Sequence, residues 1–270
     1  MDSVESMIKY TIQYIANTSF IMATSTTTST TQVDDLKEPR ASISSSTTTL
    51  YTLPDPSFHP SQTLKVDARG IGALRLPIPS RQTEIVIYHA DGSEAYVSTR
   101  DKLWSGNSIL SHPKQGNLIR TEYFFGPNRD PILRLLHTSS VIPEEIKVTG
   151  QWTSRTTRFM MPNGQEYEWA YAKEKADGDR INLLILRAVK NPRGKEEIEY
   201  RRIAQLVRSS ETRTSGTSRC TAGNGGELQI QEGELDSAVI VATCLMMLKK
   251  EIDRRRLIQF AIIGGAAGSS

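Results

Sequence analysis

The sequence contains little cysteine, few aromatic side chains and no strong excess of either charge. Its two cysteines, Cys220 and Cys244, cannot build a disulfide framework, and their spacing matches no CxxC metal or redox motif. The net charge of +3 is too small to indicate nucleic-acid binding, so no nucleic-acid partner is expected. An intracellular, cytoplasmic location is the default expectation, with peripheral association with membranes as its extension.

The sequence also lacks a secretory signal and a run long enough to cross a membrane. The first residues include Asp2 and Glu5, and polar side chains interrupt the stretch 7–22, whereas a signal has a basic start and an unbroken apolar core. The most apolar run, 238–248, would span only about 16 Å as a helix, short of the roughly 20 residues that a bilayer requires. No transmembrane segment is predicted.

Serine and threonine dominate residues 24–49. Such a segment cannot bury enough apolar surface to offset its chain entropy. We therefore predict a disordered Ser/Thr-rich leader over 1–60, a folded domain over 61–265 and a tail over 266–270. Because the leader carries three Lys or Arg against six Asp or Glu, the folded domain is the basic part.

Two further interpretations of the N-terminal segment stay open. Met22 is followed by a small residue, so translation could start there instead of at Met1. Alternatively, Ile8, Ile12 and Ile15 have near-helical spacing and could form a short amphipathic helix on a membrane. We favour a dispensable leader, because the polar face of that helix is not basic.

From Thr63 onward the apolar pattern has a period of two, which predicts strands. Asp91-Gly92 and Asn163-Gly164 are turn dipeptides, and they predict two hairpins that join 84–88 to 95–99 and 158–161 to 165–171. Further predicted strands are 74–76, 118–124, 132–136, 145–148, 181–188 and 227–230. Residues 198–207 fit either a helix or a strand, and we prefer the strand. The Gly-rich stretch 209–226 is then a long loop.

One helix is predicted near the C-terminus. Asp236-Ser237 offers an N-cap, and residues 238–248 are apolar on every side, so they require burial on all sides. The basic residues of 249–256 predict a solvent-exposed second half, and Gly264-Gly265 a helix end. A single all-round apolar helix is best buried inside a closed barrel. The predicted fold is mainly β: a closed antiparallel β-barrel of about twelve strands around a buried hydrophobic C-terminal helix.

Four segments carry a resemblance to a known family: Phe124-Phe125-Gly126-Pro127-Asn128-Arg129-Asp130-Pro131, Gly150-Gln151-Trp152-Thr153-Ser154-Arg155, Gly223-Asn224-Gly225-Gly226-Glu227-Leu228 and 247–256. In this order along the chain they resemble a fungal branch of the tubby C-terminal-like superfamily, which also includes LURP-one-related proteins and phospholipid scramblases. The resemblance implies a barrel of twelve strands filled by the helix, and binding of phosphorylated inositol lipids. It assigns no lipid-site residue here, because no basic lipid-binding motif of the family aligns with this sequence.

Motifs of catalysis are missing. The four histidines are widely spaced without HExxH, and neither a GxSxG elbow nor a P-loop is present. Glu166 and Glu168 share one strand face, as an acid/base pair would, but the aromatic side chains on the opposite face indicate that both carboxylates face solvent. No enzymatic activity, catalytic residue, metal site or cofactor is expected.

The best candidate for a ligand-binding surface is the basic stretch that contains Lys190, Arg193, Lys195, Arg201 and Arg202. Clustered cations attract anionic membranes. Interleaved glutamates also allow an ordinary mixed-charge surface, and we give that interpretation more weight. The predicted function is a non-enzymatic binding or adaptor protein whose partner is an anionic membrane lipid, such as a phosphoinositide. The alternative is an adaptor that binds another protein without lipid affinity.

Overall fold

A computed structural model describes residues 50–51, 55–72, 82–103, 105–124, 130–136, 144–150, 155–176, 179–190 and 199–267. These ranges contain the strands β1 (Leu50–Tyr51), β2 (Gln62–Ile71), β3 (Glu84–His89), β4 (Glu94–Arg100), β5 (Ser108–His112), β6 (Gly116–Glu122), β7 (Ile132–Leu135), β8 (Glu145–Thr149), β9 (Thr157–Met160), β10 (Glu166–Ala176), β11 (Asp179–Lys190), β12 (Glu199–Arg208) and β13 (Ala222–Ile230), and the helix α1 (Ser237–Ala267).

Strands β2 to β13 form a closed antiparallel barrel of twelve strands, as predicted. Each strand pairs with the next one along the chain, and β13 returns to pair with β2, for example Leu228 with Leu64. Closure removes the free edges that an open sheet would present. The predicted hairpins are present as β3–β4 and β9–β10, and the ambiguous stretch 198–207 is strand β12.

The helix supplies the barrel's core. A single buried cluster combines inward-facing side chains from all twelve strands with helix residues between Ala238 and Leu248. Asp236 caps the helix through its carboxylate, which accepts a hydrogen bond from the Ala238 N–H at 2.7 Å. Every residue of 238–248 is buried except Leu245, which is partly exposed. Packing on all sides explains why this run has no polar face.

The second half of the helix differs from the prediction. Lys249, Lys250 and Arg256 are buried, each less than a tenth exposed, although a solvent-exposed basic half was predicted. Strand residues and helix carboxylates supply their partners, which the helix sequence taken alone does not reveal. The helix also continues through Gly264-Gly265 to Ala267. Glycine lowers helix propensity by about 1 kcal/mol relative to alanine without forcing a helix to end.

The run Gly223-Asn224-Gly225-Gly226 lies inside strand β13. The prediction of a loop over 209–226 was therefore wrong for these residues. A Cβ atom at Gly223 would lie 2.5 Å from Cγ1 of Ile252 and 2.7 Å from the Leu248 carbonyl oxygen. Gly223 also has a φ of 72°, which favours glycine. The glycines therefore let β13 approach the helix and its neighbouring strands closely. The predicted strand 74–76 lies outside the described residues.

Part of the predicted leader belongs to the sheet. Strand β1 pairs in parallel with β10, Leu50 with Ala172. Strand β9 pairs with β10 only as far as Trp169, so the next part of that edge is open to β1. Phe58, also within the predicted leader, is buried. The chain divides into two units: residues 47–259 hold the barrel, and the other unit combines 1–46 with 260–270. Residues 1–49 and 52–54 lie outside the described residues.

Candidate functional site

A small cavity of about 30 Å³ lies inside the barrel, between α1 and the wall formed by β2 to β6. One water molecule needs roughly 10–15 Å³ on this measure, so there is room for about two or three. The helix contributes Leu245, Met246, Lys249 and Ile252, whose spacing places them on one face. Polar side chains of the wall face them, including Ser98, Arg100, Ser108, Thr121 and Tyr123.

Lys249 is held at this cavity by a buried carboxylate one helical turn away. Its Nζ donates to both oxygens of Asp253, at 2.6 and 2.8 Å, and Asp253 is fully buried. Arg256 approaches the same carboxylate at 3.6 Å. Burial lowers the pKa of Lys249 from its usual value, and Arg256 and Arg100 add to this effect while Asp253 opposes it.

Tyr123 completes the charged cluster from the strand side. The Lys249 ammonium lies 5.0 Å from the centre of its ring, a cation–π distance. Burial, followed by the neighbouring charge of Asp253, raises the pKa of Tyr123 well above its usual value. A Cβ atom at Gly106 would lie 2.3 Å from Cδ1 of Tyr123, so only glycine at position 106 leaves room for this ring.

Arg100 is a cation of the cavity wall. It ends β4 and points inward with Ser98, because alternate residues of a strand share one face. Its backbone N–H donates to the Thr83 carbonyl at 2.8 Å. Among the described residues its guanidinium makes no ion pair or hydrogen bond. Burial and then the charge of Arg256 lower the pKa of Arg100, while Asp253 acts in the opposite direction.

Arg100 adds a further positive charge beside the Lys249–Asp253 pair. Asp253 acts on Arg100, Lys249 and Arg256, but both of its oxygens accept hydrogen bonds from Lys249. Arg100 is therefore partly buried without a hydrogen bond or ion pair of its guanidinium among the described residues. Desolvating a cation without an anionic partner costs free energy. An anion in the cavity would recover part of that cost.

The helix carries a second buried ionic group outside the cavity. Glu251 accepts hydrogen bonds from the Arg208 guanidinium at 2.9 Å and from the Gly223 backbone N–H at 2.8 Å. These bonds offset burial and keep the pKa of Glu251 below its usual value. This group is internally balanced, so it ties the helix to β12 and β13 and leaves no charge for a ligand.

Lys250 lies in a third environment, buried against β9. Its Nζ donates to Oγ1 of Thr157 at 3.2 Å, and Thr157 is itself buried. Burial lowers the pKa of Lys250 to about 8; the Asp130 carboxylate opposes this shift, and Arg254 adds to it. The amine is therefore easier to deprotonate than an ordinary lysine.

The basic residues singled out from the sequence differ in their partners and in their burial. Lys190 pairs with Glu199 at 3.5 Å, and both side chains are at least half exposed. Arg201 pairs with Glu234, whereas Arg202 is buried and donates to Gln205 at 2.7 Å. Arg193 and Lys195 lie outside the described residues. Every described member of the basic stretch thus has a partner, and the stretch as a binding surface stays a prediction.

The carboxylates of β10 share one strand face, as expected. Arg158 bridges them, with contacts of 3.2 Å to Glu166 and 2.8 Å to Glu168. Glu168 also pairs with Arg187 and is only 4% exposed, so its predicted solvent exposure was wrong. Its charge is neutralised by two arginines of neighbouring strands. The pair serves as a structural ionic group and has the wrong environment for a proton-transfer base.

Sequence reasoning missed the cavity residues Arg100, Tyr123, Lys249 and Asp253. One signal was available: Tyr96, Ser98 and Arg100 alternate on β4, so an inward Tyr96 places Arg100 inward as well. The Lys249–Asp253 spacing of four residues was a second signal. Neither signal shows that β4 and the helix lie side by side, because that follows from barrel closure.

No helix among the described residues is both long and apolar enough to cross a bilayer. No group of three or more His, Cys, Asp or Glu side chains in them is placed to hold a metal ion.

Comparison with known proteins gives no match. No protein-family model matches the chain, and neither a curated protein nor a solved structure is similar to it.

Proposed function

We propose that this protein is a non-enzymatic binding protein that takes an anionic ligand into the cavity between α1 and β2–β6. The observation that carries the proposal is Arg100, a partly buried guanidinium with no ion pair among the described residues, at the cavity beside the Lys249–Asp253 pair. Arginine presents a fork of donors that suits oxyanions, and water exclusion strengthens such contacts.

The cavity lining supports binding in preference to catalysis. Its described residues include no histidine, cysteine or carboxylate. The amine of Lys249 is occupied by Asp253. Among the described residues of the lining, a hydroxyl such as that of Ser98 therefore has no general base beside it, and nucleophilic catalysis needs one.

The tubby-like resemblance remains part of the proposal. Twelve strands closed around a C-terminal helix are what that superfamily would require. An anionic membrane surface, including a phosphoinositide, is accordingly one source of the ligand. The alternative is an adaptor that binds another protein and has no affinity for anions or lipids.

The proposal is tested by adding anions to the full chain at constant ionic strength and recording the melting temperature. A ligand that binds only the folded state raises this temperature as its concentration rises. We expect sulfate, phosphate or acetate to do so, and Arg100→Gln to remove the effect. Arg120→Gln is the matched control, because Arg120 is more than half exposed on β6. Equal responses of both variants would overturn the cavity as the site.

Sedimentation with vesicles distinguishes a membrane lipid from a soluble anion as the ligand. Sedimentation with phosphatidylserine or phosphoinositide vesicles, against neutral vesicles, should weaken as salt rises if the contact is electrostatic. Loss in Lys190→Glu with retention in Arg100→Gln would place membrane binding on the outer basic stretch. If neither soluble anions nor anionic vesicles bind, the adaptor alternative replaces the proposal.

A further inference from the structure

We infer that the ligand of this cavity is a small aliphatic monocarboxylate whose carboxylate binds Arg100 and whose hydrocarbon part lies against Leu245, Met246 and Ile252. The inference rests on the proposed function and names the chemical class of its ligand. It follows from three features of the cavity, which are its two unlike walls, the Arg100 guanidinium that has no ion pair or hydrogen bond among the described residues, and its size.

The two walls differ in polarity. The strand side presents Ser98, Arg100 and Thr121, whereas the helix side presents Leu245, Met246 and Ile252. A ligand that satisfies both walls needs a polar end and an apolar end. An inorganic oxyanion would place a strongly hydrated surface against the helix side chains, where desolvation is unfavourable.

Charge and donor geometry select a carboxylate for the polar end. A guanidinium binds a carboxylate through two parallel N–H···O bonds, and Arg100 has this fork free among the described residues. The other nearby cations are engaged, since Lys249 binds both oxygens of Asp253 and Arg256 lies beside the same carboxylate. One free fork fits one monoanionic group, while a doubly charged phosphate calls for more donors.

Leu245 identifies where the hydrocarbon part lies. It is the one residue between Ala238 and Leu248 that is not fully buried, and it lines the cavity. Its partly exposed surface is apolar surface that a ligand can cover. The cavity of about 30 Å³ has room for the carboxylate and the first carbon atoms of a short chain, and the next carbons would cover the exposed part of Leu245.

The test titrates the full-length protein with acetate, propionate, butyrate and octanoate by calorimetry or by NMR. Affinity should rise about three- to fourfold for each methylene up to butyrate, as expected for burial of CH₂ groups, and fall for octanoate, which is too long. Butan-1-ol should bind at least tenfold more weakly than butyrate, because it lacks the charge that Arg100 recognises.

Variants assign the two ends of the ligand. Arg100→Gln should weaken butyrate binding at least tenfold, with Arg120→Gln as the unchanged control. Arg100→Lys keeps the charge without the fork of donors and should bind butyrate with intermediate affinity. It tests the same contact if Arg100→Gln does not fold. Leu245→Ala should leave the affinity for acetate unchanged and reduce the increase of affinity with the chain length of the carboxylate.

The outcomes distinguish this inference from the proposed function. If phosphate or sulfate binds through Arg100 more tightly than any carboxylate, or if chain length has no effect, the ligand class is overturned and anion binding stands. If no anion binds, or if butyrate binding is equal in the wild type and in both Arg100 variants, the inference and the proposed function fall together.

Discussion

The two halves of helix α1 are buried by different means. Residues 238–248, with the exception of the partly exposed Leu245, are buried because they are apolar on every side. In 249–256, the charged side chains that are buried have partners on strands and on the neighbouring helical turn. The first half contributes hydrophobic stabilisation. The second half fixes the position of the helix along the barrel axis. Composition predicts the first kind of burial from one segment, but the second depends on residues far away in sequence.

The largest expected effect comes from placing a charge in the apolar half. Met247 is fully buried, so Met247→Asp should abolish folding, since an unpaired buried carboxylate costs several kcal/mol against a total stability of about 5–15 kcal/mol. Leu245→Asp is the matched control, because its carboxylate would enter the cavity beside Arg100. Soluble yield and near-ultraviolet circular dichroism check both. A folded Met247→Asp protein would contradict a helix inside the barrel.

In the charged half, Asp253→Asn should be the most damaging change. It removes the carboxylate that Lys249 binds through both oxygens and leaves the buried Lys249 ammonium without it, which should cost about 3–5 kcal/mol in urea unfolding. Adding Lys249→Met to Asp253→Asn should recover a large part of the loss, because the buried ammonium is then absent. A loss below about 1 kcal/mol would mean that water already solvates this cluster.

Lys250 gives the charged half a pH dependence. Its pKa is about 8 in the folded protein and about 10.4 in the unfolded chain, so between these values the unfolded chain binds more protons. Stability relative to Lys250→Met should therefore rise from about pH 8 to pH 10, by up to about 1.4 kcal/mol per pH unit. Cys244, whose pKa burial raises to about 12, opposes this trend equally in both proteins and cancels in the difference. Parallel stability curves for the two proteins would contradict the buried environment of Lys250.

The smallest effect, opposite in sign, is expected at Arg100. Because its guanidinium is partly buried without an ion pair among the described residues, Arg100→Gln should leave stability unchanged or raise it by about 1 kcal/mol. Thermal unfolding without added anions measures this directly. A loss of more than about 1 kcal/mol would show that Arg100 is a structural residue, and would contradict its proposed role in ligand binding.

Much of the barrel could be predicted from local patterns. Asp91-Gly92 and Asn163-Gly164 identified two hairpins, and the capped apolar run from Asp236 identified the helix. The glycines of β13 were misassigned because glycine indicates a turn in most sequences. Here Gly223 is small so that Ile252 can approach it, and this requirement comes from a partner about thirty residues later.

The cavity could not be predicted, for a related reason. Arg100 and Lys249 are distant in sequence and meet only because closure of the barrel around α1 sets β4 beside the helix. The basic stretch near Lys190 was conspicuous because its charges are clustered in sequence, yet its described members are paired. Local charge density is thus a poor guide to which cations are free in a folded barrel.

The position of the helix in the chain has a consequence for synthesis. All twelve barrel strands are synthesised before the helix that fills them. At about 5–20 residues per second, synthesis from Gln62 to Ala267 takes roughly 10–40 s. During that time the inward faces of the strands have no core to pack on. The nascent protein therefore depends on chaperones or on loose collapse until translation of α1, and a ribosome that stalls before Ser237 would release a chain prone to aggregate.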